Sequence, residues 1–391
     1  MSTIKWLPTT AQLKNDAPGT IILGSPGSGK TFFLVNIAAN ALGMGQRVIA
    51  IDPKNDLGAI YNINPNIEVV DVNYIRPGAL NPFEFLKKEK PDGSFEYPDS
   101  ATITSIIQLL LGKLDKADED ALIPKVKDFV IKNKRNEHID LLDFGNYLLS
   151  KSDVESRTMG QKLLLYADNK YGKLLFTYDT EAKPLVLSKD KSIIITLHGM
   201  ELPDCSKRVE DYDANDRFTS TIIYIIASKL LDILQDNEKT PKILICDEAH
   251  ILFNNRQMAS VINKFLTLGR ALNTATVLAS QGISQFPKNI ANYITSKFIF
   301  KSSIEEARQF LELFNTGALD ASQSIDEDNI VTAITQLPKG VCFFIDRKNR
   351  NGVIHIKSNY DEKLISSNPL TKKRIDENGN LVDREDIDEE E

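Results

Sequence analysis

The sequence predicts an α/β fold with a mainly parallel central sheet and an all-helical insertion. Three observations predict it. Short apolar runs rich in Ile and Val alternate with longer amphipathic stretches, the pattern of strands covered by helices. The first run, Thr20-Ile21-Ile22-Leu23, passes through a glycine-rich turn straight into a helical stretch. Over residues 97–178 the texture changes: β-branched runs become scarce and Lys, Asp and Leu dominate.

The elements follow in order. The helix after the glycine-rich turn covers residues 30–42, and Gly43 and Gly45 stop it. Residues 47–51 form a core strand ending at Asp52-Pro53, and 67–72 form another. Beyond Asn81-Pro82-Phe83 the insertion begins, with one apolar cluster around Ile106, Ile107 and Leu110 and a second around Leu141, Phe144 and Leu148. The sheet resumes at 192–197. A long helix at 216–235 follows, with Phe218, Ile222, Ile226 and Leu230 on one face. Then come a strand at 242–246, a helix at 258–271 and a strand at 274–279. Residues 298–300, 341–345 and 352–356 supply the last strands, and Asn378-Gly379-Asn380 marks a turn. Residues 1–96 and 191–360 are thus expected to be two parts of one α/β domain. Residues 97–190 are expected to be the insertion, and 361–391 an acidic, disordered tail.

At 391 residues, 42% hydrophobic and 26% charged, the chain can bury a large core, which excludes wholesale disorder, collagen and disulfide scaffolds. The formal charge is −7, and from Lys372 onward nine acids face four bases, so the body is nearly neutral. Such a body does not advertise nucleic-acid binding, although a local basic pore stays open. Cys205, Cys246 and Cys342 form no CxxC pair, and His138, His198, His250 and His355 show no zinc spacing; both fit a reducing compartment without a metal or redox signature. The first ten residues lack a signal-peptide layout. The most apolar segment, 221–234, is broken by Ser228, Lys229 and Asp232. A soluble, cytoplasmic protein is expected.

Gly24-Ser25-Pro26-Gly27-Ser28-Gly29-Lys30-Thr31 matches GxxxxGK[ST] between a strand and a helix. The glycines let backbone N–H groups turn toward phosphate oxygens; Lys30 would reach the β- and γ-phosphates and Thr31 would offer a hydroxyl to Mg²⁺. ATP and Mg²⁺ are the expected ligands. A dinucleotide site, with Asp52 on a ribose, is disfavoured because Gly24, Gly27 and Gly29 do not fit GxGxxG. The apolar run 242–246 ends in Asp247-Glu248, where Asp247 would hold Mg²⁺ through its water shell and Glu248 would activate the attacking water. The next strand ends at Ser280-Gln281, and an amide there can sense the γ-phosphate. Arg270 is either an arginine finger acting on a neighbouring subunit or a cation at a helix C-terminus. Asp52 and Lys54 end a strand, as ligands or as loop residues. Arg308 and Arg347 read as surface charge, and Lys132, Lys134, Arg135 and Lys151 as a solvated helix face. The whole reads as a RecA-like P-loop NTPase that hydrolyses ATP.

The order of this P-loop, Ile51-Asp52-Pro53-Lys54, Asn81-Pro82-Phe83, Asp247-Glu248-Ala249-His250, Gly269-Arg270 and Ser280-Gln281 resembles the ATPases of type IV secretion and conjugation. The resemblance is to the TraC/TrbE class, the fourth component of VirB systems, within the FtsK–HerA superfamily, and it spans residues 19–356. It implies a hexameric ring in which Arg270 is the finger supplied in trans and Gln281 the sensor amide, with Ser280 in place of the more usual threonine. It implies channel and coupling proteins as partners, and a place at the inner face of the cell membrane reached only through them. ATP hydrolysis would then energise substrate transfer or apparatus assembly. Members usually carry several hundred residues before the P-loop, whereas Gly24 comes almost at once, so an ATPase domain alone or a short relative is expected. Two other readings stay open. A DNA translocase, coupling-protein-like or HerA-like, would want a basic pore and DNA-stimulated hydrolysis. A nucleotide-gated scaffold with little turnover is opposed by the intact Glu248.

Overall fold

The computed structural model describes residues 19–384, apart from 91, 93–94, 113, 115, 134–137, 178, 180, 205–206, 237–239, 254–255, 315–326 and 377–379. Lys134, Arg135, Cys205, Asn378 and Gly379 lie outside the described residues, as does the chain beyond 384.

Nine strands form one sheet: β1 (Gly19–Leu23), β2 (Arg47–Asp52), β3 (Glu68–Asp71), β4 (Ile193–Thr196), β5 (Lys242–Cys246), β6 (Thr274–Ser280), β7 (Ile294–Phe300), β8 (Val341–Ile345) and β9 (Asn351–His355). Their order is β9-β8-β7-β1-β6-β5-β2-β4-β3. The seven strands from β7 to β3 pair in parallel, and β8 and β9 close one edge antiparallel. β7 starts at Ile294 rather than near Phe298, because Ser296 and Lys297 read as polar in the sequence yet are buried in the sheet.

The strand side chains alternate between two apolar cores. Ile21, Leu23, Ile49 and Ile51 enter one; Ile22, Val48 and Ala50 enter the other. Both faces are covered, which is why these strands read as continuous apolar runs. The second core packs under the helix Lys30–Gly43 through Leu34, Ile37, Ala38 and Ala41. The first lies under the helices Ala214–Asp236 and Arg256–Leu268 and the helical segment. Residues Ala214–Gln235 are long and apolar enough to cross a membrane, but 78% of that window is buried inside the protein. It is the core helix of this sheet.

Between β3 and β4 the chain forms the helices Ser100–Leu111, Lys116–Lys132, Leu141–Leu149, Val154–Leu165 and Gly172–Leu175. Asp99 caps the first, accepting from the Thr102 N–H at 2.7 Å, and Asp140 and Asp143 cap the third reciprocally. Asn81 ties this segment to the sheet: it caps a short turn at Phe83 and donates to the Ile139 carbonyl at 2.9 Å.

The disordered tail expected from residue 361 is corrected by the structure. Residues 361–384 form a helix (Glu362–Ser366), a 3-10 turn (Pro369–Thr371) and a hairpin of Lys373–Ile375 with Leu381–Asp383. Ile365 and Leu370 are buried, Asn62 donates to the carbonyls of Leu364 (2.9 Å) and Ser367 (2.7 Å), and Arg384 pairs with Asp71 at 2.6 Å. The charge count misled because two of the four bases from Lys372 onward turn inward: Arg374 and Arg384 stack over the Tyr74 ring.

Candidate active site

Register brings four turns to one edge of the sheet. Leu23 lies beside Ser280, Leu278 beside Cys246, and Cys246 beside Ile51, so the chain leaves β1, β2, β5 and β6 side by side at their carboxyl ends. In open α/β sheets this is the edge where ligands bind.

The turn after β1 is a cradle that side chains would fill. Gly24, at φ 151°, would put a Cβ 2.7 Å from Phe300 Cβ and 2.8 Å from Ser28 Oγ. Gly29, at φ 116°, lies against the backbone of Gly340, whose N–H donates to the Ser28 carbonyl at 2.9 Å. Pro26 and Gly27 are exposed at the rim, and the Ser25 N–H is held by the Lys301 carbonyl at 2.8 Å. Lys30 folds over the loop, its ammonium donating to the carbonyls of Gly24 (2.5 Å) and Ser25 (3.2 Å). Burial lowers its pKa, although Asp247 and Glu248 pull the other way. Thr31 follows at the start of the helix Lys30–Gly43. The buried Ser28 hydroxyl has no hydrogen-bond partner among the described residues. A cradle closed to side chains, a lysine, a helix N-terminus and an unsatisfied hydroxyl fit a phosphate group.

Asp247 and Glu248 follow β5 directly. The Asp247 N–H donates to the Ile51 carbonyl (3.0 Å), and Asp247 Oδ1 accepts from the Glu248 N–H (2.9 Å). Burial, then the charge of Glu248, raises the Asp247 pKa to about 6. Behind it Asp52 is fully buried and accepts from the N–H groups of Asp56 (2.9 Å) and Leu57 (2.7 Å); burial and the neighbouring Asp247 push it up to about 8. Two acids so close favour at least one proton between them, and a divalent cation on Asp247 would replace it.

Glu248 adopts φ 46°, a left-handed conformation a glutamate rarely takes. Its Oε1 accepts from Lys54 Nζ and, at 3.3 Å, from Gln281 Nε2. Burial opposes its charge, but Lys54, His250 and Gln281 outweigh that and hold its pKa below the ordinary value. His250 Nδ1 lies 3.3 Å from Oε2 and 2.9 Å from Ser280 Oγ, which in turn donates to Gln285 at 2.7 Å. The Ser280 hydroxyl is therefore engaged on both sides. Burial lowers the His250 pKa, although Glu248 pulls the other way.

The structure thus brings together the loop Gly24, Ser25, Pro26, Gly27, Ser28, Gly29, Lys30 and Thr31 with Asp247, Glu248 and Gln281. Arg270 does not join them. It is exposed in the turn before β6, at the opposite edge of the sheet from Ser280, and a seven-residue strand separates the two by roughly 20 Å. Its guanidinium makes no hydrogen bond or ion pair among the described residues. Arg308 pairs with Asp328 at 2.7 Å on the surface, and Lys132 and Lys151 gather around Asp128 and the Tyr147 ring. Sequence reasoning left Lys54 open, as a ligand or as a loop residue, and passed over His250 as a site residue. The available signal was position alone: both follow strands whose ends carry the recognised acids.

The sequence matches the AAA-like domain family over residues 10–366. Protein YddE of Bacillus subtilis (strain 168), itself uncharacterized, is 21% identical over 384 residues. That alignment covers 93% of this chain and 44% of YddE, so the chain spans less than half the length of this curated relative. Among solved structures, VirB4 of Thermoanaerobacter pseudethanolicus superposes with a TM-score of 0.66 over 89% of this chain and 91% of that one, at 15% identity. The plasmid coupling protein TrwB, solved with ADP and Mg²⁺, gives 0.57 over 92% and 91%, at 13% identity. The nine-stranded sheet with its glycine-rich turn is therefore the P-loop ATPase fold that the sequence implied. With nearly the whole sheet inside the matched span, the chain belongs to the AAA-like domain family.

Proposed function

We propose that this chain hydrolyses ATP with Mg²⁺ to energise substrate transfer or apparatus assembly in a type IV secretion or conjugation system. The observation that carries the reading is the convergence of Lys30, Asp247, Glu248 and Gln281 on one edge of the sheet, beside a cradle that accepts phosphate. Lys30 exchanges the carbonyls of Gly24 and Ser25 for the β- and γ-phosphates. Thr31 and Asp247 hold Mg²⁺, which when bound neutralises charge on the β- and γ-oxygens. Glu248 takes a proton from the attacking water, and Gln281, lying against that carboxylate, reports whether a γ-phosphate is in place. Arg270 is too far from its own site, which supports a role on the γ-phosphate of the neighbouring subunit in a ring, a hexamer in the active state. Channel and coupling proteins of the apparatus are the partners, and they hold the cytoplasmic ring at the inner face of the membrane.

A DNA motor is the second reading, supported by the likeness of fold to a plasmid coupling protein. Steady-state ATPase rate, measured with and without single- and double-stranded DNA at fixed salt, separates the two, with Lys30→Ala as the blank. A DNA-indifferent rate that the blank abolishes supports the secretion ATPase. Stimulation by DNA that fades as salt rises supports the motor. A wild-type rate in the blank removes the P-loop from the argument.

A further inference from the structure

Lys54 reaches Glu248 across 194 residues of sequence, from the end of β2 to the turn after β5. The loop that carries it is not slack. Asp52 holds the N–H groups of Asp56 and Leu57, and Asn55, buried at φ 60°, donates to the Leu370 carbonyl at 2.7 Å. Asn368 in turn donates to the Asn55 carbonyl. The lysine is therefore aimed by its backbone, while its side chain stays 43% exposed.

Of the three groups around the Glu248 carboxylate, Lys54 brings the standing charge, since Gln281 is neutral and burial disfavours a charge on His250. Lys54 and Gln281 both donate to Oε1. Oε2 is buried 3.3 Å from His250 Nδ1, a nitrogen that Ser280 Oγ approaches more closely, and it accepts no hydrogen bond among the described residues. The carboxylate is thus clamped by one oxygen, while the other is buried beside His250 with its hydrogen-bonding capacity left for a water. A buried carboxylate that turns freely would spend part of its time aimed away from that water, and small misplacements of a base are costly.

Resting on the reading of Glu248 as the hydrolytic base, we propose that Lys54 is a positioning residue that clamps Glu248 through Oε1 and so presents Oε2 to the attacking water. Its effect falls on the chemical step and leaves nucleotide binding alone.

The test uses the full chain, comparing Lys54→Met, Lys54→Arg and Glu248→Gln by steady-state kinetics and by binding of a fluorescent ATP analogue with Mg²⁺. Lys54→Met is expected to lower kcat about tenfold or more while the analogue's Kd stays within about twofold, and Lys54→Arg is expected to recover much of the loss. Retained binding shows that the variants are folded. The proposal is overturned if Lys54→Met keeps wild-type kcat, if kcat and affinity fall together, or if arginine rescues no better than methionine. Should Glu248→Gln itself keep wild-type turnover, the base assignment fails and Lys54 falls with it. An inactive Glu248→Gln beside a normal Lys54→Met sinks the clamp alone.

Discussion

Gln281 Nε2 donates to Glu248 Oε1 at 3.3 Å, joining the tips of two adjacent strands, β6 and β5. The amide that would sense a γ-phosphate and the carboxylate that would use the water beside it are one hydrogen-bonded unit. A change at either is felt at the other.

Glu248→Gln is expected to bind nucleotide as tightly as wild type and to hydrolyse it at least about 100-fold more slowly, because the amide cannot take the proton. Single-turnover measurements with saturating ATP and Mg²⁺ check this. Gln281→Ala, which keeps the base and removes a donor to it, should lose less.

Arg270→Ala alone should be slow, since each site in a ring would lack its neighbour's cation. Mixed with Glu248→Gln in proven mixed rings, it should regain activity at sites where an intact Glu248 meets an intact Arg270. Activity no greater than the two variants measured separately would count against the trans assignment.

The pKa of Asp52 predicts a pH dependence of stability. Its folded value is raised to about 8 from an ordinary 3.8, so between these values the folded protein holds a proton that the unfolded chain releases. The stabilisation is full below the ordinary value and is lost as pH climbs toward about 8. Thermal melting in the absence of Mg²⁺ should therefore fall from pH 5 to pH 9, and Asp52→Asn, which cannot ionise, should flatten that slope.

Gly58 and Asn55 anchor the C-terminal segment. A Cβ on Gly58 would lie 2.1 Å from Asn368 Oδ1, so Gly58→Ala must push that side chain aside. Asn55→Ala loses a buried hydrogen bond and leaves alanine in a left-handed conformation, a cost of about 1–3 kcal/mol. Both should raise hydrogen exchange over residues 361–384 before they affect the sheet.

The parts of this site that could be read in the sequence are those whose geometry is local. The P-loop is eight consecutive residues, and Asp247-Glu248 ends an apolar run that can only be a buried strand. The pairing of Lys54 with Glu248 could not be read, because nothing in the order of residues says that β2 lies beside β5. The same holds for Asn55 with Leu370, which are 315 residues apart and each unremarkable in its own surroundings. Composition failed at the C-terminus for a related reason: a net charge does not reveal which bases turn inward onto Tyr74.

β1 pairs with β6 and β7 alone, Gly19 lying beside Thr276 on one side and Ile294 on the other. The strand that leads into the P-loop thus leaves the ribosome some 250 residues before its neighbours arrive. At roughly 5–20 residues per second, that leaves an apolar strand without its partners for tens of seconds. Contacts this distant also fold slowly. Any release of the chain before β6 leaves both edges of β1 open to pairing with another molecule, so a nascent chain needs shielding there until its central strand is enclosed.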